Sequence, residues 1–96
     1  MQLETAVAAI VTNAVATHYG VKAEELKDTT NFQRDLNADS LDVVEIRMNI
    51  EDSIEAKYGL INFSIPDEKF DKIRTVGHLT QCIVDVLRED YIALKT

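Results

Sequence analysis

Apolar residues recur at helical spacing in three long stretches of this chain. Leu3, Val7, Ile10, Val11, Ala14 and Val15 form the first stripe, and Gly20 follows where a C-terminal cap is expected. A second helix should begin at Asp39 or Ser40 and stop at Gly59. Asp39 can cap it, and Asp42 stands three residues on, a capping box with Asp in place of Glu. Val76, Leu79, Ile83, Val86 and Leu87 mark the last helix. Before it, Pro66 and Asp67 open a short helix expected to end near Ile73, because proline is tolerated in a first turn. The stretch "VKAEELKDTTNFQRDLNAD" mixes turn residues with spaced apolar anchors at Val21, Leu26, Phe32 and Leu36. It reads as a long ordered connection whose length suggests function. No stretch alternates with a period of two for long enough to build a sheet. The fold class is all-α: a small four-helix bundle, three helices longer and one short, with a long connection between helices 1 and 2. The chain reads as a single domain, 1–96.

The second helix has two apolar faces. At about 100° per residue, Val43, Ile46, Ile50 and Ile54 share one side, while Leu41, Val44 and Met48 lie almost opposite. The acids Asp42, Glu45, Asp52 and Glu55 project around the second stripe, and the isoleucine side has only Arg47 towards its edge. The isoleucines are therefore expected in the core and Leu41, Val44 and Met48 at the surface, where an apolar stripe rimmed by charge has the form of a partner-binding surface. Packing of that stripe under the long connection is the competing arrangement.

Charge sharpens this picture. Of the 96 residues 28% are charged, for a net of −7, and Asp28 to Glu55 hold eight acids against two bases, a net of −6. Such a field repels nucleic acid and anionic membrane and steers basic surfaces towards the second helix. No apolar run approaches the length of a membrane span, and the first residues lack the basic start and cleavage site of a secretory signal. A soluble, cytoplasmic monomer is expected, without stable membrane insertion. The lone Cys82 cannot form an internal disulfide and reads as a small hydrophobe.

Ser40, in "DLNADSLDVVEI", is the residue that invites chemistry. A hydrolytic nucleophile needs a nearby base and an oxyanion site, but the chain offers only His18 and His78, neither in a recognisable motif, and "ADSLD" is not a strained G-x-S-x-G elbow. No catalytic residue is assigned, and the two histidines read as surface or packing residues. Asp35, Asn37 and Asp39 match the first three ligand positions of an EF-hand loop. Ser40 then stands where glycine is needed and Ile46 where a bidentate glutamate belongs, so no dedicated metal site is expected. As an attachment point, Ser40 is well placed. It is exposed at a helix start, and the positive end of the helix dipole favours an anionic group on its hydroxyl. The residues alone do not identify that group, and a plain helix-start serine remains the alternative.

The segments "YGVKAEELKDTTNFQRDLNADSLDVVEI" and "IPDEKFDKIRTV" closely resemble the acyl carrier proteins of fatty-acid and polyketide synthesis, over most of the chain. The resemblance implies a non-catalytic carrier. Ser40, with Asp39 beside it, would receive 4′-phosphopantetheine from coenzyme A through a separate Mg²⁺-dependent phosphopantetheinyl transferase, and the terminal thiol of the arm would hold acyl groups as thioesters. It further implies that Asp39, Asp42, Glu45, Glu51 and Asp52 meet basic patches on acyl-loading, condensing or acyltransferase enzymes, with Leu41, Val44 and Met48 as the apolar contacts among them. Phe32, Ile46, Ile50, Ile65 and Ile73 would line an acyl pocket. A carrier of aminoacyl or peptidyl groups, and an unmodified acidic docking module, are the alternatives.

Three departures from the family pattern stand out. Asn37 replaces the usual glycine, and asparagine tolerates a left-handed backbone. Phe70 and Leu79 stand where small residues commonly face the pocket. Between Met48 and Ile65 the chain is longer than the common pattern by about seven residues, roughly one turn of it within the helix. This lengthened segment, Ser53 to Ser64, suggests a specialised carrier. It is expected to select partners or cargo and to be dispensable for folding, with Leu60, Ile61 and Phe63 exposed or packed on the bundle and lying near the pocket entrance beside Ile65.

Overall fold

The expected helices form where the caps place them. A computed structural model describes residues 2–92, and it contains four α-helices: α1 (Gln2–Tyr19), α2 (Ser40–Tyr58), α3 (Asp67–Phe70) and α4 (Val76–Val86). A 3₁₀ turn, Ala23–Glu25, interrupts the first connection, and α4 runs on into a wider π-type turn, Leu87–Ile92. Gly20 and Gly59 end α1 and α2 in the left-handed conformation, at φ 67° and 65°, which an L side chain adopts only with strain. α3 is shorter than the sequence suggested. It ends at Phe70 rather than near Ile73, and a turn closed by Ile73 N–H on Phe70 O completes the segment.

Each long helix contributes a buried ridge at three- or four-residue spacing. Val7, Val11 and Val15 from α1, Ile46, Ile50 and Ile54 from α2, and Val76, Leu79, Ile83 and Val86 from α4 meet in one core. α1 packs against both α2 and α4, while α3 touches α4. Each such isoleucine or leucine contributes about 1.5–3 kcal/mol on burial, so three interlocked ridges outweigh the modest propensities of β-branched residues in helices.

The long connection is ordered by pairing with the start of α4. Phe32 N–H donates to Arg74 O at 2.9 Å, Val76 N–H to Thr30 O at 3.0 Å and Gly77 N–H to Asp28 O at 2.9 Å. Among the described residues the only bridge of strand type is the isolated antiparallel one between Asn31 and Thr75. The approach is so close that a Cβ on Gly77 would lie 2.8 Å from the Asp28 Cβ and 3.0 Å from its carbonyl oxygen. Phe32, thus anchored, is buried in the core.

The lengthened segment divides between the packed and exposed placements expected of its apolar residues. Ile54 does remain on the buried face of α2. Phe63, however, does not stand at a pocket entrance: it is 4% exposed, joins the core and packs on Tyr91 with ring centroids 5.1 Å apart. Its N–H donates to Glu55 Oε2 at 2.8 Å. Leu60 is half-buried against the core and Ile61 is 83% exposed at the loop tip. The physical reason is that a loop leaving α2 one turn later must fold back across the end of the bundle, where an aromatic ring finds apolar neighbours.

Candidate functional site

The start of α2 is capped without help from Ser40. Asp39, in extended conformation, accepts the Asp42 N–H at 2.9 Å on Oδ1, and Asp42 Oδ2 accepts the Asp39 N–H at 3.2 Å. The capping box is therefore built from two aspartates flanking the serine. Ser40 is exposed, its hydroxyl makes no hydrogen bond among the described residues, and the N–H groups of Ser40 and Leu41 have no protein acceptor. A free hydroxyl beside unsatisfied donors at the positive end of a helix is suited to an attached anionic group. Asn37 makes the approach to this turn by adopting φ 53°, the left-handed conformation that its short polar side chain tolerates.

His18 is part of this arrangement, which sequence reasoning missed. Its Nε2–H donates to Asp42 Oδ1 at 2.8 Å, its Nδ1 lies 3.8 Å from Glu45 Oε1, and its side chain is 15% exposed. The last turn of α1 is thereby tied to the first turn of α2. The hydrogen bond from His18, aided by the Asp39 N–H, holds the Asp42 carboxyl below its ordinary range. Burial, with the Asp42 carboxylate nearby, pushes the Tyr19 phenol up to about 12. No sequence motif marks His18, because its partners are distant along the chain.

A carboxyl whose folded pKa is depressed stabilises the fold fully above its unfolded value, and that stabilisation is lost as pH falls through the folded value. Acidification should therefore loosen the α1–α2 junction, and Asp42→Asn should lower the melting temperature at neutral pH and flatten its fall below the ordinary carboxylate range. Thermal melts across that range check both effects. A variant with native acid sensitivity would remove Asp42 from the account.

The outer stripe of α2 is exposed as expected, with Leu41, Val44 and Met48 at 65%, 50% and 57%. Packing under the long connection is thus ruled out. Leu41, Glu45, Met48 and Asp52 follow one another at three- or four-residue spacing, so their side chains line one strip, and Asp39 stands exposed at its head. Asp42 and Glu51 are held by contacts within the fold. Asp42 is engaged by the cap and His18. Glu51, its side chain 18% exposed, accepts the Ile65 N–H at 2.9 Å and pairs with Arg47 at 3.3 Å. Glu55 likewise holds the loop through Phe63.

On the other side of α2 lies an apolar cleft of about 80 Å³. Phe32, Ile46 and Ile73 line it as expected, together with Val43, Phe70 and Leu79, and Gln33 and Arg74 complete its wall. Ile50 and Ile65 do not line it. Both are fully buried in the core. Val43 follows Ser40 by three residues, about 4.5 Å of helix rise, so the free hydroxyl and one cleft wall lie on nearly the same side of α2.

Residues 9–83 match the family described as phosphopantetheine attachment site. The chain is also 40% identical over 73 residues to an acyl carrier protein of Wolinella succinogenes, an alignment that covers 76% of this chain and 87% of that relative.

Proposed function

The chain belongs to the acyl carrier protein family of phosphopantetheine-attachment domains, and from that membership we propose that Ser40 bears a 4′-phosphopantetheine arm by which the protein carries acyl groups between enzymes. The observation that supports Ser40 is the division of labour at the start of α2: Asp39 and Asp42 cap the helix, and the serine hydroxyl has no role in holding the fold. The residues present fit the group. The unsatisfied N–H groups of Ser40 and Leu41 would be available to a phosphodiester, while the carboxylates of Asp39 and Asp42 are turned towards each other's N–H groups and His18, which would lessen their repulsion of it. When attached, the arm supplies a thiol able to hold acyl groups as thioesters.

This chain's own part is presentation. Leu41, Val44 and Met48 form an apolar strip beside the attachment point, with Asp39, Glu45 and Asp52 as its charged rim, and a synthesis enzyme with Lys/Arg patches is the fitting partner. A phosphopantetheinyl transferase must engage the same face. We read the protein as a single carrier domain acting as a monomer in the cytoplasm. Among the described residues no helix is long and apolar enough to cross a membrane.

The test is an intact mass before and after incubation with coenzyme A, Mg²⁺ and a phosphopantetheinyl transferase. Gain of one arm supports the carrier, and an unchanged mass favours the docking module. Steering by the rim has its own consequence. Glu45→Lys with Asp52→Lys should slow association with a basic partner by about tenfold or more at low salt, with the difference shrinking as the screening length falls below ~10 Å. Stopped-flow association at two ionic strengths measures it, and equal rates at low salt would remove those two acids from recognition.

A further inference from the structure

One wall of the apolar cleft is held in place by a charge. The Arg47 guanidinium carbon stands 4.8 Å from the centroid of the Phe70 ring. The same guanidinium pairs with Asp67 at 2.8 Å and Glu51 at 3.3 Å, and donates to the carbonyl of Ile65. Arg47 therefore joins α2 to the residues that lead into α3 and to both ends of that short helix. The Asp67 side chain is 83% exposed, so that arm contributes little and is screened. The contacts to Glu51 and Ile65 are half-buried, and Glu51 is itself fixed by the Ile65 N–H. These hold Arg47 in place, and Arg47 in turn lies against the ring that forms one wall of the cleft.

We propose that Arg47 and Phe70 form a latch that selects acyl cargo by length. The proposal rests on the reading of Ser40 as the bearer of an acyl arm. With the ring in place the cleft, at about 80 Å³, accepts only the first few carbons of a chain, and a longer chain must push Phe70 aside. Displacing a half-buried phenyl ring and breaking its cation–π contact disfavours that opening by about thirtyfold. Each methylene moved from water into the cleft favours it by about fourfold. The two effects balance at about two to three methylenes, so the latch delays the sequestration of an acyl chain by that many carbons and leaves shorter chains outside the core.

The experiment loads the native protein, Phe70→Ala and Arg47→Met with butanoyl, hexanoyl, octanoyl, decanoyl and dodecanoyl phosphopantetheine from the corresponding coenzyme A thioesters. Two quantities are read for each chain length: the half-life of the thioester in hydroxylamine, and the melting temperature. Met keeps the bulk of the arginine stem without its charge. Protection and melting temperature should rise with chain length in all three, with the native protein lagging Phe70→Ala by about two to three carbons and Arg47→Met falling between them. Phe70→Leu should shift the curve in the same direction by less, and replaces the alanine variant if that one loses helicity. Coincident curves overturn the latch. So does an Arg47→Met curve identical to the native one beside a shifted Phe70 variant, since the ring would then act without the arginine. Failure of the native chain to take up any acyl arm overturns the carrier reading instead, and the latch with it.

Discussion

Ser40→Ala should abolish the gain in mass from coenzyme A and a phosphopantetheinyl transferase while leaving helical circular dichroism unchanged. The loss is complete because the attachment bond needs the hydroxyl oxygen, and the fold survives because the cap does not. Asp39 Oδ1 receives the Asp42 N–H, and Asp42 Oδ2 receives the Asp39 N–H, whichever residue stands between them. Alanine is the best helix former, so the change in stability should stay within about 0.5 kcal/mol. Asp39→Ala is the informative contrast. It removes the cap, at a cost of about 0.5–2 kcal/mol, yet retains the hydroxyl and should still accept the arm, more slowly. Mass spectrometry and thermal melts separate the two variants. An arm found on the Ser40→Ala protein would move the attachment point elsewhere.

Phe63→Ala should destabilise the fold by about 3–5 kcal/mol, a large part of the 5–15 kcal/mol typical of a small domain. The ring is 4% exposed and rests on Tyr91, so its removal leaves a cavity at the end of the bundle that the neighbouring side chains fill only in part. Its N–H also places the loop through Glu55, which prevents the backbone from collapsing into the space. Two residues away, Ile61 is 83% exposed, and Ile61→Ala should stay within about 0.5 kcal/mol. Urea unfolding of both variants measures the contrast. A Phe63→Ala protein within about 1 kcal/mol of the native one would return the whole lengthened segment to the status of a tolerated surface loop.

The two outcomes illustrate how unevenly the site could be read from the chain. The cap around Ser40 was legible, because local chemistry determines it: aspartates three residues apart make a capping box, and an asparagine accommodates the left-handed turn before it. The exposed stripe was legible too, since acids placed around Leu41, Val44 and Met48 cannot enter a core. Contacts between distant segments were not. His18 reads as an ordinary residue near the end of a helix until the crossing of α1 and α2 puts it on Asp42. Glu51 looks like one more acid of the rim until the loop returns Ile65 to it. Ile50 and Ile65 are apolar residues of the expected face, but whether such a residue lines a cleft or lies in the core depends on how the helices pack.

The sequence by itself determined the three long helices, the cap at Asp39, the stops at Gly20 and Gly59 and the buried ridges, though not where α3 ends or that the Ser40 hydroxyl is free. These follow from periodicity, capping and charge, which act within a few residues. The tertiary structure alone decided where the long loop packs, which acids of α2 are engaged within the fold, and how small the cleft is. Those depend on distances between elements far apart in the chain, where one guanidinium can meet a carboxylate, a carbonyl and an aromatic ring at once, and no local pattern encodes that meeting.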